Sequence, residues 1–297
     1  MKLGLGMVVC IGLVMAAAPV FADENVFGYV KGSETLPKGA WELYEVATLR
    51  TDKGQGEYKA WNSETEVEYG VTDRLTTMLA FSLQGIDTKG LIIDGYLPKD
   101  ESYGLKASGV EGSLKYNFLS PAKDIVGLSG LLGLEHSWLD AHSGQDKSNT
   151  SLDLSLLFQK YFLEGQLIWV GNTGVEGTYA VRGEVTDLPE DFEWTTNPEV
   201  ELELKLGTGL SYRFAPGWFI GIETLYEAEH ETEVGRERWS IFGGPSLHYG
   251  GSKWWATLTW LPQLAGGGEE YADQKDSNLH LIEKTKQEFR VKLGFNF

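Results

Sequence analysis

Glu64, Glu66 and Glu68 recur at every second residue of one stretch, and Glu201, Glu203, Lys205 and Arg213 recur at even intervals along another. Side chains alternate across a β-strand, so each set shares one face. The same polar register carries Glu42, Glu111, Lys115, Glu135, Asp153, Glu223, Glu227, Glu229, Arg290 and Lys292 in other stretches. Rows of carboxylates with a few interspersed bases attract, pair with or pass cations; they do not by themselves make or break covalent bonds. Nucleophilic chemistry has thinner support. His136-Ser137 and His142-Ser143 place a base next to a hydroxyl. Adjacent strand residues face opposite ways, so His136 cannot serve Ser137 directly.

The opposite faces of these stretches are apolar. Val200, Leu202, Leu204, Leu206, Thr208, Leu210, Tyr212 and Phe214 back the second set. Leu75, Thr77, Leu79, Phe81 and Leu83 do the same in an earlier strand. In the first strand, Ala40 to Arg50, Trp41, Leu43, Ala47 and Leu49 share a face on which Glu45 is the exception. The composition, with 36 aromatic residues and 37 Gly against 9 Pro, is that of a β protein and argues against disorder.

Reading in this way predicts twelve strands. Short turns fall near 70–73, 119–124, 162–165, 215–217 and 250–252. Longer connections fall near 51–57, 85–103, 140–149, 174–198, 230–236 and 262–282. Pro245 sits inside the tenth strand and predicts a bulge there. Many strands reach about 11 residues, enough to cross a bilayer with tilt. Aromatics gather at the ends of the apolar faces. Tyr69, Phe118, Phe214, Trp218, Tyr249 and Trp254 lie at the short-turn end, and Trp138, Tyr226 and Trp260 at the other. An even strand count, alternating short and long connections and two aromatic girdles together predict an all-β, twelve-stranded antiparallel transmembrane barrel with both termini in the periplasm.

The two ends of the chain agree with this. Residues 1–22 read as a cleaved signal peptide: Lys2, an apolar run, then Val20-Phe21-Ala22 before Asp23. The chain's one cysteine, Cys10, falls inside it. The mature chain then carries 24 basic and 43 acidic side chains, a net charge of −19, with no thiol for a disulfide or a cysteine metal site. That charge argues against nucleic-acid binding. Residues 23–39 read as a periplasmic lead-in and 40–297 as the barrel. The last strand ends in Phe289, Val291, Leu293, Phe295 and Phe297 on one face. This ending resembles the terminal strand of Gram-negative outer-membrane β-barrels, which the barrel assembly machinery recognises. Tyr69-Gly70-Val71-Thr72-Asp73-Arg74-Leu75 is similar to a turn found in many such barrels. The layout also resembles outer-membrane barrels grouped with aromatic-compound uptake proteins. The resemblance implies residence in the outer membrane against lipid and lipopolysaccharide, with periplasmic chaperones and the assembly machinery as partners.

A closed barrel would turn the polar faces inward. So many charges cannot be buried dry and unpaired. The expected function is a narrow, acidic, water-filled passive channel for small solutes, favouring cations, with neither cofactor nor metal. Two other readings stand beside it. One is an outer-membrane lipid hydrolase using Ser and His. The other is a structural or adhesive barrel whose charges pair across a closed lumen. The acidic run Glu190-Asp191-Phe192-Glu193 lacks the ligand spacing of an EF-hand.

Overall fold

A computed structural model describes residues 25–92, 100–184, 194–231, 235–271 and 273–297. The strands are β1 (Trp41–Thr51), β2 (Gln55–Thr72), β3 (Leu75–Ile92), β4 (Ser102–Leu119), β5 (Gly127–Leu139) and β6 (Asp146–Phe162). They continue as β7 (Leu167–Arg182), β8 (Glu199–Ala215), β9 (Trp218–Glu231), β10 (Gly235–Gly250), β11 (Trp254–Gly267) and β12 (Gln287–Asn296). Each pairs antiparallel with its sequence neighbour, and β1 pairs with β12, closing the barrel. The closing register sets Leu43 opposite Phe295 and Leu49 opposite Phe289. At its end, Trp41 and Phe297 exchange backbone hydrogen bonds of 3.3 and 2.9 Å. Closure leaves no edge, as hydrocarbon surroundings demand.

The outer wall is apolar because the period-2 pattern leaves no other face for these residues. Leu79, Leu134, Ile222, Val291 and their neighbours are exposed on it. Aromatics pack in pairs near its rims: Trp41 on Tyr69 at 4.5 Å, Tyr249 on Trp254 at 4.7 Å, and Trp260 stacked on Phe289 at 6.2 Å.

The structure corrects several boundaries. β3 runs on to Ile92, β7 to Arg182 and β11 to Gly267, through residues predicted as loop. β2 already begins at Gln55, so its connection to β1 is only residues 52–54. In these stretches the two faces still differ, but glycines interrupt the pattern in β7 and the end of β3 inverts it, with Asp87 and Lys89 outside and Ile86 buried inside. The bulge expected at Pro245 lies instead between Ile241 and Phe242, against β11. Pro245 itself stays in register with Ile222 of β9. The run Glu190–Glu193 lies outside the described residues, as do residues 1–24.

Two segments outside the ladder fill the barrel. Residues 25–38, expected as a lead-in, cross the lumen at the short-turn end. The β11–β12 connection, residues 268–286, folds into the opposite mouth and buries Leu279, Leu281 and Ile282.

Candidate functional site: the barrel lumen

The N-terminal segment is seated by side chains of most of the wall. Val26, Phe27 and Val30 pack against Ile168, Val170 and Phe219. Gly207 and Gly209, on the inner face of β8, supply the groove. A Cβ on Gly209 would sit 2.7 Å from the Phe27 ring, and one on Gly207 2.6 Å from Val30. Three successive backbone amides, Gly28, Tyr29 and Val30, donate to the carboxylate of Glu223 at 2.8, 2.9 and 3.1 Å. Glu223 is fully buried and also accepts from Thr259 at 2.9 Å. A carboxylate is well matched to a run of amides that would otherwise lack partners. Asn172 then makes a two-way pair with the backbone of Lys31, 2.7 Å and 2.8 Å. Gln159 accepts from the Ser33 amide at 2.7 Å, and Asn117 and Ser129 donate to the Ser33 carbonyl. Lys292 donates to Asn25 at 2.6 Å, and Arg290 reaches the Gly28 carbonyl at 3.1 Å while covering the Tyr29 ring.

Above this plug runs a belt of carboxylates. Glu111 is the direct cross-strand partner of Glu135, Asp153 of Glu176, Glu176 of Glu203, and Glu203 of Glu229. Like charges directly opposite are destabilising unless compensated. One half is compensated. Lys205 meets Glu176 at 2.6 Å and Glu203 at 3.3 Å. Lys284, from the β11–β12 connection, meets Glu203, Glu227 and Glu229 at 3.1, 2.8 and 3.6 Å. Arg238 bridges Glu229 and Glu283 at 2.5 and 2.8 Å. The other half, Glu111, Glu135 and Asp153, has no base within ion-pair distance among the described residues. These three line a cavity of about 280 Å³ with Lys31 and Lys205. A second cavity of about 150 Å³ holds Glu64, Glu66 and Glu68 facing Lys115, Arg290 and Lys292. Tyr44 donates to Glu66 and, at 3.1 Å, to Glu68. Cavities of about 190 and 240 Å³ continue toward the far mouth, the first beside Glu201 and Glu203. Neighbouring cavities share lining residues, including Lys31, Glu64 and Glu135.

The structure thus turns Glu64, Glu66, Glu68, Glu111, Lys115, Glu135, Asp153, Glu201, Glu203, Lys205, Glu227, Arg290 and Lys292 toward the interior cavities. Glu223 faces inward too, but it is spent on the plug and borders none of the four cavities. Arg213 sits at the short-turn end, half-buried, and lines none of them either. Sequence reading missed Glu176, on strand taken for loop, Arg238, on the inner face of the predicted tenth strand, and Lys31 and Lys284, which reach the lumen from outside the ladder. The change along β8 from Glu and Lys to Gly207, Gly209 and Ser211 was the available sign that something packs on that face. His136 and Ser137 do lie on opposite sides of the wall: His136 is exposed outside, 3.1 Å from Thr150, whereas Ser137 borders two interior cavities. Ser143 donates to Asp140 at 3.0 Å.

Around the far mouth, Lys53 is 2.5 Å from His142 and 2.6 Å from the Glu283 carbonyl. Burial, then the nearby Lys53, Lys284, Arg50 and Lys147, hold His142 well below the usual imidazole range. Burial, then Arg238 and Lys284, bring His280 down to about 3, with Glu229 opposing and Lys53 adding. Both histidines therefore bind fewer protons when the 268–286 connection is docked than when it is free. Their share of the docking strength is full above pH ~6.5 and falls as pH drops from there, by at most about 1.4 kcal/mol per pH unit for each histidine. Glu283 in the same connection opposes them: burial, then Glu229, pushes its carboxyl up to about 8, so its share is full below pH ~4.5 and is lost as pH rises through 8. Hydrogen exchange of residues 279–285 should therefore accelerate as pH falls from about 4.5 toward 3. Exchange that does not change with pH, after correction for its intrinsic rate, would contradict the assignment.

A closed twelve-stranded barrel with an apolar outer wall, aromatic rims and a charged interior is a transmembrane barrel of the outer-membrane class. The chain belongs to a family of unknown function, DUF6662, whose pattern matches residues 19–297. No curated protein matches the sequence. Among solved structures it is similar to the COG4313 outer membrane channel from Pseudomonas putida F1, with a TM-score of 0.57 and 15% identity over 89% of this chain and 98% of that one. It is also similar to the translocator domain of the autotransporter NalP from Neisseria meningitidis, with a TM-score of 0.56 and 12% identity over 89% and 91%. The beta domain of the Bordetella autotransporter BrkA gives 0.54 and 13% over 88% and 100%. At these identities the likeness speaks to the fold.

Proposed function

We propose that this chain is an outer-membrane channel for small solutes, closed at rest by its N-terminal segment and preferring cations when open. The observation that carries this reading is the chain of charged cavities between plug and far-mouth connection, where Glu111, Glu135 and Asp153 share one cavity with Lys31 and Lys205 but have no base within ion-pair distance among the described residues. Charge on that scale requires water around it. An excess of fixed negative charge in a narrow wet passage enriches cations. In this reading the short turns and both termini face the periplasm. The outer wall meets lipid and lipopolysaccharide, and the terminal Phe297 strand is what the assembly machinery binds during insertion, after chaperone transit. No bond-making step is required of the barrel. The placement of His136 and Ser137 on opposite sides of the wall weighs against their acting as a hydrolase pair.

The test is a planar-bilayer recording of a barrel lacking residues 25–36, in asymmetric KCl. The reversal potential should report a preference for K⁺ over Cl⁻. Replacing Glu111→Gln, Glu135→Gln and Asp153→Asn together should move that potential most of the way to zero with little change in conductance. A folded, plug-deleted barrel that passes no current, both as it stands and with Lys284→Met to release the 268–286 connection from the other mouth, would overturn the channel reading in favour of a structural role. An anion-selective current would overturn the cation preference alone.

A further inference from the structure

The cavity of about 150 Å³ sets acids against bases without letting them pair. Its carboxylates Glu64, Glu66 and Glu68 stand in one row on the inner face of β2. Arg290 and Lys292 stand on β12, and Lys115 on β4. Within the cavity, one uncharged strand separates acid from base on each side. β1 presents Tyr44 and Val46 between β12 and β2, and β3 presents Thr76 and Met78 between β2 and β4. Lys292 is opposite Val46, and Val46 is opposite Glu64. Two strand spacings, about 10 Å of backbone, therefore lie between that base and that acid. Long side chains reach that far, but Lys292 is drawn elsewhere. It donates to Asn25 of the plug at 2.6 Å and lies 5.1 Å from the centre of the Tyr44 ring. Among the described residues no base comes within ion-pair distance of the three carboxylates.

Both sets are left with unmet capacity. Lys292 is 7% exposed; it has three N–H donors and spends one, on Asn25. Arg290 spends its Nε on Thr48 at 2.9 Å and an Nη1 proton on the Gly28 carbonyl. Its other protons have no acceptor among the described residues. On the acid side, Tyr44 donates to Glu66 and to Oε1 of Glu68, and Ser82 donates to Glu64 at 3.1 Å. Glu68 is 8% exposed, and its Oε2 has no partner. A ligand of one sign suits only half of this arrangement, because a cation also meets the bases and an anion also meets the acids. A molecule carrying both an ammonium and a carboxylate supplies what each set lacks. Its N–H donors go to the carboxylate row and its oxygens accept from Arg290 and Lys292.

The space sets the size of that molecule. A cavity of about 150 Å³ holds a benzene ring, so it admits an amino acid with little or no side chain. Gly28 and Gly32 of the plug border it without side chains of their own. Tyr29, Lys31 and Leu131 border both this cavity and the one of about 280 Å³, so the larger cavity is the way in. We propose that the smaller cavity is a binding site for a small zwitterion of amino-acid type, its ammonium on Glu66 and Glu68 and its carboxylate on Arg290 and Lys292. The site rests on the channel reading only for the route of entry.

The test is isothermal titration of the detergent-folded mature chain, residues 23–297 with the plug in place. The probe is β-alanine, which has as many non-hydrogen atoms as benzene. Propylammonium and propionate each keep one of its two charges. β-Alanine should bind at least about tenfold tighter than either, since each analogue forgoes one set of charge-assisted bonds. Glu66→Gln with Glu68→Gln should weaken β-alanine about tenfold without weakening propionate. Lys292→Gln should weaken β-alanine by a similar factor without weakening propylammonium. A merely loosened barrel would weaken all three ligands alike. Heat-modifiable gel mobility shows which variants fold, and the three ligands on the native chain decide the matter even if neither does. Propylammonium bound as tightly as β-alanine would overturn the proposal, and so would no binding of β-alanine. Folded variants of unchanged affinity would overturn it too. No current is read, so a barrel that conducts but does not bind β-alanine refutes the site and spares the channel. One that binds β-alanine but never conducts does the reverse.

Discussion

Replacing Glu223 with Ala is expected to raise the open probability of the channel by about a hundredfold, and deleting residues 25–36 should leave it open continuously. The reason is local. Glu223 accepts from the amides of Gly28, Tyr29 and Val30 in a fully buried setting. Removing it orphans three donors while the plug stays docked, each worth roughly 1–3 kcal/mol. Undocking lets water satisfy them. Counting only the low end, the docked state loses about 3 kcal/mol, or a factor of about a hundred in population. Glu223→Gln keeps one acceptor oxygen but presents an amide N–H₂ to a backbone N–H, so it should fall between Ala and the native residue. Gly209→Leu approaches the same end from the other side, by filling the space of the Phe27 ring. Single-channel recording reads all four variants. If Glu223→Ala gates like the native chain while the deletion conducts, the carboxylate is not what holds the plug.

The second large effect belongs to Lys284. Burial opposes its charge, yet Glu203, Glu227 and Glu229 hold the ammonium well above the ordinary lysine range. Lys284→Met would leave three carboxylates facing one another with only Lys205 and Arg238 nearby. Breaking one side of such a buried network typically costs about 3–5 kcal/mol. The 268–286 connection carries the lysine, so it should bear that cost by lifting from the mouth. Protease cleavage between residues 275 and 284 should accelerate more than a hundredfold. Lys286→Ala provides the contrast. Its pair with Asp276, 2.8 Å, is exposed to solvent on both sides, and such pairs contribute at most about 1 kcal/mol. Equal cleavage rates in the two variants would mean that the connection is held by Leu279, Leu281 and Ile282 alone.

Much of the fold was legible in the sequence because a lipid-facing wall imposes a strict rule. A strand with hydrocarbon on one side and water on the other must alternate, as the runs 75–83 and 200–214 do without fault. The terminal Phe297 strand and the aromatic rims followed from the same rule. Which residues turn inward was legible too, since inward is whatever outward is not. The rule is harder to see where glycine or polar residues interrupt it. β7 keeps its alternation, with Val175 and Tyr179 exposed outside and Glu176 inside, but Gly174 and Gly177 made the stretch read as loop. Along the end of β3 the pattern inverts, with Asp87 and Lys89 outside and Ile86 buried inside. Glu176 was lost with the first of these.

What the sequence by itself determined is the wall: twelve strands, their faces and the acidic excess inside. These depend on neighbours one or two residues apart, or on composition, and both are visible along the chain. What only the tertiary structure decided is the filling. That Glu223 holds the N-terminal segment, that Lys284 neutralises β8 and β9, and that Glu111, Glu135 and Asp153 have no base within ion-pair distance among the described residues are facts of the register around a closed ring. The contacts of Glu223 with the plug span more than 190 residues of chain. No periodicity reports them, because a carboxylate aimed at water, at a lysine or at a row of amides looks the same in one dimension.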